Sequence, residues 1–266
     1  KTMQDTIQAW LRGSIAATSS ERAKSYLSRL LPKMLPEIAK AEYPNAAFAA
    51  FQDIISGLPS GVQTFALLEN NPSLVSLLSN ILVKAPRLTE TLRYNSYLLD
   101  DLIEKNVFSQ LPDRMTVIKI LEDELAHVSS EQALDTIRKR NKKWNFQADI
   151  HLLEAITTPS EIMRFRSDVA SACLRHVTCL ALQDFAVRHG NIDASLEIIA
   201  LGRLANNSLT AQSDLDLIFV YDGCMEDVSD GQKPLGLSSY FIRLTQLITS
   251  WMSLKTKHGK LYELDL

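Results

Sequence analysis

From Ser20 to Gly190 apolar residues recur at three- and four-residue spacing, which predicts an array of helices. Prolines at Pro32, Pro36, Pro44, Pro59, Pro72, Pro86, Pro112 and Pro159 are expected between the apolar runs, where they start helices without breaking them. Asn71-Pro72 reads as an N-cap with proline at the first helical position. Leu74, Leu77, Leu78, Ile81 and Leu82 then form one core-facing stripe. Thr158-Pro159-Ser160-Glu161 is a capping box and predicts a long helix to about His189. Along it Ile162, Phe165, Val169, Cys173, Val177 and Leu180 keep the helical period, and Gly190 supplies a left-handed closing residue.

Beyond Gly190 the period changes. LEIIAL (196–201) and LDLIFVY (215–221) are short, β-branched and bounded by turn formers, as buried strands are. A polar loop (223–236), a helix over 239–254 and a third strand at 261–266 follow. The expected fold class is α+β, with a helical region over 1–157 followed by a sheet-containing domain over 158–266. The chain begins at Lys1 and stops straight after a strand-like run, so it is expected to be a piece of something longer.

With 46% hydrophobic and 22% charged residues, the composition excludes a disordered or fibrous chain. A formal net charge of -3 gives no global positive field, so neither nucleic acid nor an anionic membrane is expected as a partner. No apolar run approaches the roughly 18–20 residues of a membrane helix, and the first twenty residues lack a signal-peptide pattern. Cys173, Cys179 and Cys224 have no C-x-x-C spacing and are expected as reduced packing residues, which suits a cytoplasmic location.

The chemistry-bearing pattern is Ser213-Asp214-Leu215-Asp216-Leu217. The period-2 pleat puts both aspartates on one face, roughly 6.6 Å apart, with Leu215 and Leu217 on the other. Such a pair is either an exposed strand end or the ligand set of a divalent cation. A Gly-containing turn (Gly202 to Ser208) precedes the strand, as expected where backbone amides hold phosphates. Asp265, one helical crossover later, is the candidate third carboxylate of a two-metal phosphoryl-transfer site, with Glu263 as its rival.

LGRLANNSLTAQSDLDLIFVYD (201–222) and YFIRLTQLITSWMSLKTKHGKLYELDL (240–266) resemble the nucleotidyltransferase segment of bacterial glutamine synthetase adenylyltransferases, members of the DNA polymerase β-like superfamily. The helical stretches 58–104 and 134–156 are similar to the helices that precede it, so the resemblance covers nearly the whole chain. Enzymes of this family have two related halves. One removes AMP from glutamine synthetase by phosphorolysis, and the other attaches it to a tyrosine; the closing LYELD resembles the second, carboxy-terminal half. The resemblance implies a truncated nucleotidyltransferase fold with a small mixed sheet, ATP as substrate and two Mg²⁺ ions. Asp214, Asp216 and Asp265 would be ligands, and Asp265 would assist deprotonation of the tyrosine. Gly202, Arg203 and Ser213 would lie on the nucleotide, although Ser213 reads equally as a turn cap. Glutamine synthetase, the nitrogen-regulatory PII protein and glutamine are the implied partners. Phosphorolytic AMP removal and a non-catalytic docking module are the alternatives. The family's Gly-Lys-Leu-Gly-Gly or Gly-Lys-Leu-Gly-Ser turn here reads Gly202-Arg203-Leu204-Ala205-Asn206.

Arg138, Lys139, Arg140, Lys142 and Lys143 form the one dense basic cluster, expected as a solvated helix face, with docking of an acidic surface as the second reading. No histidine pair has metal-ligand spacing, His189 suits a helix C-terminus, and no G-x-S-x-G motif points to a hydrolase.

Overall fold

The computed structural model describes residues 2–103 and 106–266, apart from the side chains at 103 and 131. The chain is 65% helical with one small mixed sheet, an α+β fold. It forms two compact units, Lys1–Ser109 with Asp149–Ile156, and Gln110–Ala148 with Thr157–Leu266.

The first unit contains α1 (Met3–Leu11), α2 (Glu21–Ile38), α3 (Pro44–Ser56), α4 (Val62–Asn70), α5 (Pro72–Lys84), α6 (Pro86–Tyr94) and α7 (Leu98–Ile103). Pro44, Pro72 and Pro86 open helices as expected, but Pro32 and Pro36 lie inside α2. Both prolines are exposed and stand four residues apart, so the carbonyls deprived of a donor lie toward water. The α5 stripe Leu74, Leu77, Leu78, Ile81 and Leu82 is buried. Asn71 occupies the N-cap position of α5 without capping it. Its Nδ2 instead donates to the Leu67 carbonyl at 2.8 Å, closing α4, because only a one-residue joint separates the two helices.

His151 is buried in this unit, with Nε2 2.9 Å from the Val107 carbonyl oxygen. Burial holds its pKa below the ordinary 6.5, outweighing the hydrogen bonds to the Val107 and Ser109 backbone, which act in the opposite direction. The folded state therefore binds fewer protons than the unfolded state just below pH ~6.5, and stability falls as pH drops through that window. His151→Gln should flatten the acid limb of the urea-midpoint against pH curve; an unchanged limb would assign the loss to other groups.

The second unit is built on α10 (Pro159–His189), flanked by α8 (Arg114–Leu125), the greater part of α9 (Ser130–Leu153) and α12 (Leu237–Ser253). The capping box at Thr158 forms with both reciprocal hydrogen bonds. Ile162, Phe165, Val169, Cys173 and Val177 are buried, and Leu180 packs against the same core. Gly190 has positive φ (75°), but its ψ of -167° is extended rather than left-handed helical. The reason is a close backbone crossing: a Cβ on Gly190 would stand 2.1 Å from the Gly231 amide nitrogen. The polar segment after residue 223 is thus pinned to the helix end. The Gly231 amide donates to the His189 carbonyl, the His189 imidazole bonds the Lys233 carbonyl, and the Tyr240 hydroxyl donates to the Gly190 carbonyl.

The sheet has strand order β1 (Ala194–Ala200), β2 (Leu215–Gly223), β3 (Leu264–Asp265). β1 and β2 are antiparallel; β2 and β3 are parallel, joined by the crossover helix α12. Leu215 and Leu217 are buried against the helices with Phe241, Leu244 and Ile248 of α12. The opposite face stays open, with Ile199, Ile218 and Val220 between 42% and 46% exposed.

Candidate functional site

The candidate chemistry gathers on that open face, at the end of the sheet where β2 begins. Asp216 and Asp265 are direct register partners on neighbouring parallel strands. Direct partners project to the same side, so their Cα atoms are roughly 4.8 Å apart on one face. Asp214 is exposed and directly precedes the first residue of β2; Asp216 is half-buried and Asp265 exposed. Glu263 is also exposed and forms an ion pair with Lys260, so a cation already occupies this rival of Asp265.

A short helix, α11 (Gly202–Ala205), meets this face from the β1–β2 connection. The Leu201 amide donates to the Asp216 carbonyl at 2.8 Å, carrying the turn beside the strand. Gly202 has φ of +53°, and a Cβ there would stand 2.0 Å from Asp216 Oδ2. The glycine therefore meets two demands, a left-handed backbone and room for the carboxylate. Ala205, by contrast, is an ordinary helical residue with an exposed methyl, so the backbone imposes no glycine there. The positive φ after the helix belongs to Asn207 (51°), while Asn206 stays at -85° and donates from Nδ2 to the Gly202 carbonyl.

Arg203 and Ser213 are joined through Thr210, a residue the sequence patterns did not single out. Arg203 Nη1 donates to Thr210 Oγ1 at 3.4 Å, and Thr210 Oγ1 lies 2.9 Å from Ser213 Oγ. Ser213 Oγ also accepts from the Thr210 amide at 3.0 Å, which caps the turn. Thr210 is legible in hindsight as the first residue of a four-residue T-x-x-S turn. The turn is anchored from below: buried Leu209 donates its amide to Ser167 Oγ of α10.

Among the described residues, no three His, Cys, Asp or Glu side chains stand close enough to cage a metal ion. The aspartates do not converge as an all-protein cage. Mg²⁺, however, is usually held by one or two carboxylates together with substrate phosphates and water. The all-oxygen donor set of Asp216 and Asp265, beside a space that a single Cβ at Gly202 would fill, fits a cation that arrives with a phosphate ligand.

A family model described as glutamate-ammonia ligase adenylyltransferase matches residues 75–266, the stretch that holds this whole site. The chain belongs to that family. It is 34% identical over 98% of its length to the bifunctional glutamine synthetase adenylyltransferase/adenylyl-removing enzymes of Mesorhizobium japonicum and Brucella suis. Against the enzyme of that name from Xanthobacter autotrophicus it is 36% identical over 98% of the chain. It spans about a quarter, 27%, of the length of each of these relatives.

In this segment the basic cluster is not the solvated face expected of it. Of its five cations only Lys139 is exposed. Arg138 is 4% exposed and donates from Nη2 to the Trp251 carbonyl, while Arg140 pairs with Glu124 and lies over the Trp144 ring. Burial lowers the pKa of Lys142. The run sits in mid-helix, where Arg138 reaches the end of α12 and Arg140 reaches α8. Of the cysteines only Cys173 packs in the core; Cys179 and Cys224 are exposed, and all three are free thiols. Among the described residues no helix is long and apolar enough to cross a membrane.

Proposed function

We propose that this segment is the adenylylating centre of its protein, transferring AMP from ATP to a tyrosine hydroxyl of glutamine synthetase and so adjusting nitrogen assimilation. The observation that carries the proposal is the parallel pairing of Asp216 with Asp265 on the open sheet face, beside Gly202, within a chain of this family. The tyrosine oxygen attacks the α-phosphorus, the bond to the bridging oxygen of the β-phosphate breaks, and pyrophosphate leaves with that oxygen. Asp265 receives the phenolic proton as the bond forms. Asp216 and Asp214 would hold the cation that accompanies the triphosphate. When bound, two Mg²⁺ ions supply charge neutralisation on the nonbridging phosphate oxygens. Gly202 leaves room for that assembly, and Arg203, oriented through Thr210 and Ser213, offers its guanidinium to the phosphates.

The LYELD run (261–265) is the sequence feature behind assigning this segment to AMP attachment rather than removal. The PII protein and glutamine as regulators, and the cytoplasm as the compartment, are proposed from the family resemblance. The assignment is tested in the full-length protein. With Asp214→Ala, AMP incorporation into unmodified glutamine synthetase should be lost, while phosphate-dependent AMP release from the adenylylated form continues. Loss of release with incorporation intact would assign phosphorolysis to this segment. If neither changes, the segment is a docking module.

A further inference from the structure

We propose that Tyr262 is a positioning residue whose buried hydroxyl sets the height of β3, and with it Asp265, against β2. The proposal rests on the adenylyl-transfer function above. β3 is only two residues long, too short for its ladder to fix the register of a carboxylate. It is tied down just upstream. The amides of Leu261 and Tyr262 both donate to the Met252 carbonyl at the end of α12, and the Glu263 carbonyl accepts from Leu215. Between these backbone ties, the Tyr262 hydroxyl donates to Asn141 Oδ1 of α9 at 2.8 Å. Asn145, one turn later, donates to the same Asn141 oxygen at 2.9 Å, and Asn145 Oδ1 accepts from buried Arg166 of α10 at 2.9 Å. Strand alternation then puts Tyr262 and Leu264 inward and Glu263 and Asp265 outward.

The phenol thus connects the inner side of the strand to two helices through a continuous chain of hydrogen bonds, and Asp265 projects three residues further on. Burial raises the pKa of the phenol, with the Cys173 thiol adding to the rise, so it remains a donor throughout the working pH range. A hydroxyl facing this cluster of amides is directional in a way an apolar side chain is not. Without it, a two-residue strand can slide by a fraction of a residue at little cost. The carboxylate would then no longer stand opposite Asp216.

The test compares Tyr262→Phe and Asn141→Ala with the parent in the full-length protein. Four quantities are measured: the melting temperature without ligand, kcat and KM for ATP in AMP incorporation, and the Mg²⁺ midpoint of thermal stabilisation by a non-hydrolysable ATP analogue. Both variants should lower kcat about 10- to 100-fold, the scale expected when a reacting group is displaced by up to about 1 Å. KM for ATP should change little, and the Mg²⁺ midpoint should rise several-fold. If kcat and the Mg²⁺ midpoint stay within twofold of the parent, if the variants merely melt earlier with no shift of that midpoint, or if both fail to fold, Tyr262 is a core residue and the proposal is overturned. Asp265→Asn separates this from the underlying function. If AMP incorporation survives that substitution, the adenylyl-transfer assignment itself fails. If Asp265→Asn abolishes it and Tyr262→Phe does not, only the positioning role fails.

Discussion

Asp216→Asn should reduce AMP incorporation by at least about 10³-fold, roughly 4 kcal/mol of transition-state stabilisation, while leaving the fold intact. Three features of the structure put this position ahead of its neighbours. Its Cα partner across the parallel ladder is Asp265, its carboxylate lies against Gly202, and its backbone carbonyl holds the Leu201 amide. Asparagine preserves the size of the side chain and the backbone bond but removes the charge that a phosphate-bound cation requires. Circular dichroism and melting temperature should therefore match the parent while turnover disappears. Retained turnover within tenfold would remove Asp216 from the chemistry. Asp214, exposed and one residue outside the strand, should tolerate conservative change better than Asp216.

Gly202→Ala should produce the second large effect, and one that separates activity from stability. The left-handed φ of +53° costs an L-residue about 1–2 kcal/mol, and the new methyl would stand 2.0 Å from Asp216 Oδ2. The clash is with the end of a short side chain, so the structure relieves it by rotating the carboxylate away. A modest drop in melting temperature should therefore accompany a loss of about 100-fold or more in kcat, as expected when a reacting constellation is displaced by about 1 Å. Placing alanine at the neighbouring family glycine position has no such consequence, because residue 205 is already alanine in unstrained helix. An enzyme carrying Gly202→Ala with normal turnover and only lowered stability would show that the carboxylate at 216 has freedom the structure does not suggest.

Much of this architecture was legible along the chain. Helix starts at Pro44, Pro72, Pro86 and Pro159, the apolar stripes of α5 and α10, the change of period after Gly190 and the crossover helix before the last strand all follow from local chemistry. The failures share one cause. Pro32 and Pro36 break the expectation because their solvent-facing side is visible only once α2 is packed. Asn71 caps backward because the neighbouring helix end is nearer than its own. The basic run of α9 looked solvated because charge counts carry no information about what a helix lies against, and Arg138 turned out to hold the Trp251 carbonyl.

The site divides in the same way. The pleat of β2 turns Asp216 away from the buried Leu215 and Leu217, and that much is local arithmetic. The partnership of Asp216 with Asp265, the fit of Gly202 against Asp216, the Arg203–Thr210–Ser213 chain and the Tyr262 latch join residues from 3 to 121 positions apart. Periodicity and capping chemistry by themselves determined which segments are helix or strand and which of their faces are apolar, since those choices depend on neighbours within a turn or a pleat. Which carboxylates meet, and what holds them in register, was decided only by tertiary structure, because strand register and helix docking are set by packing between segments that the linear order keeps apart.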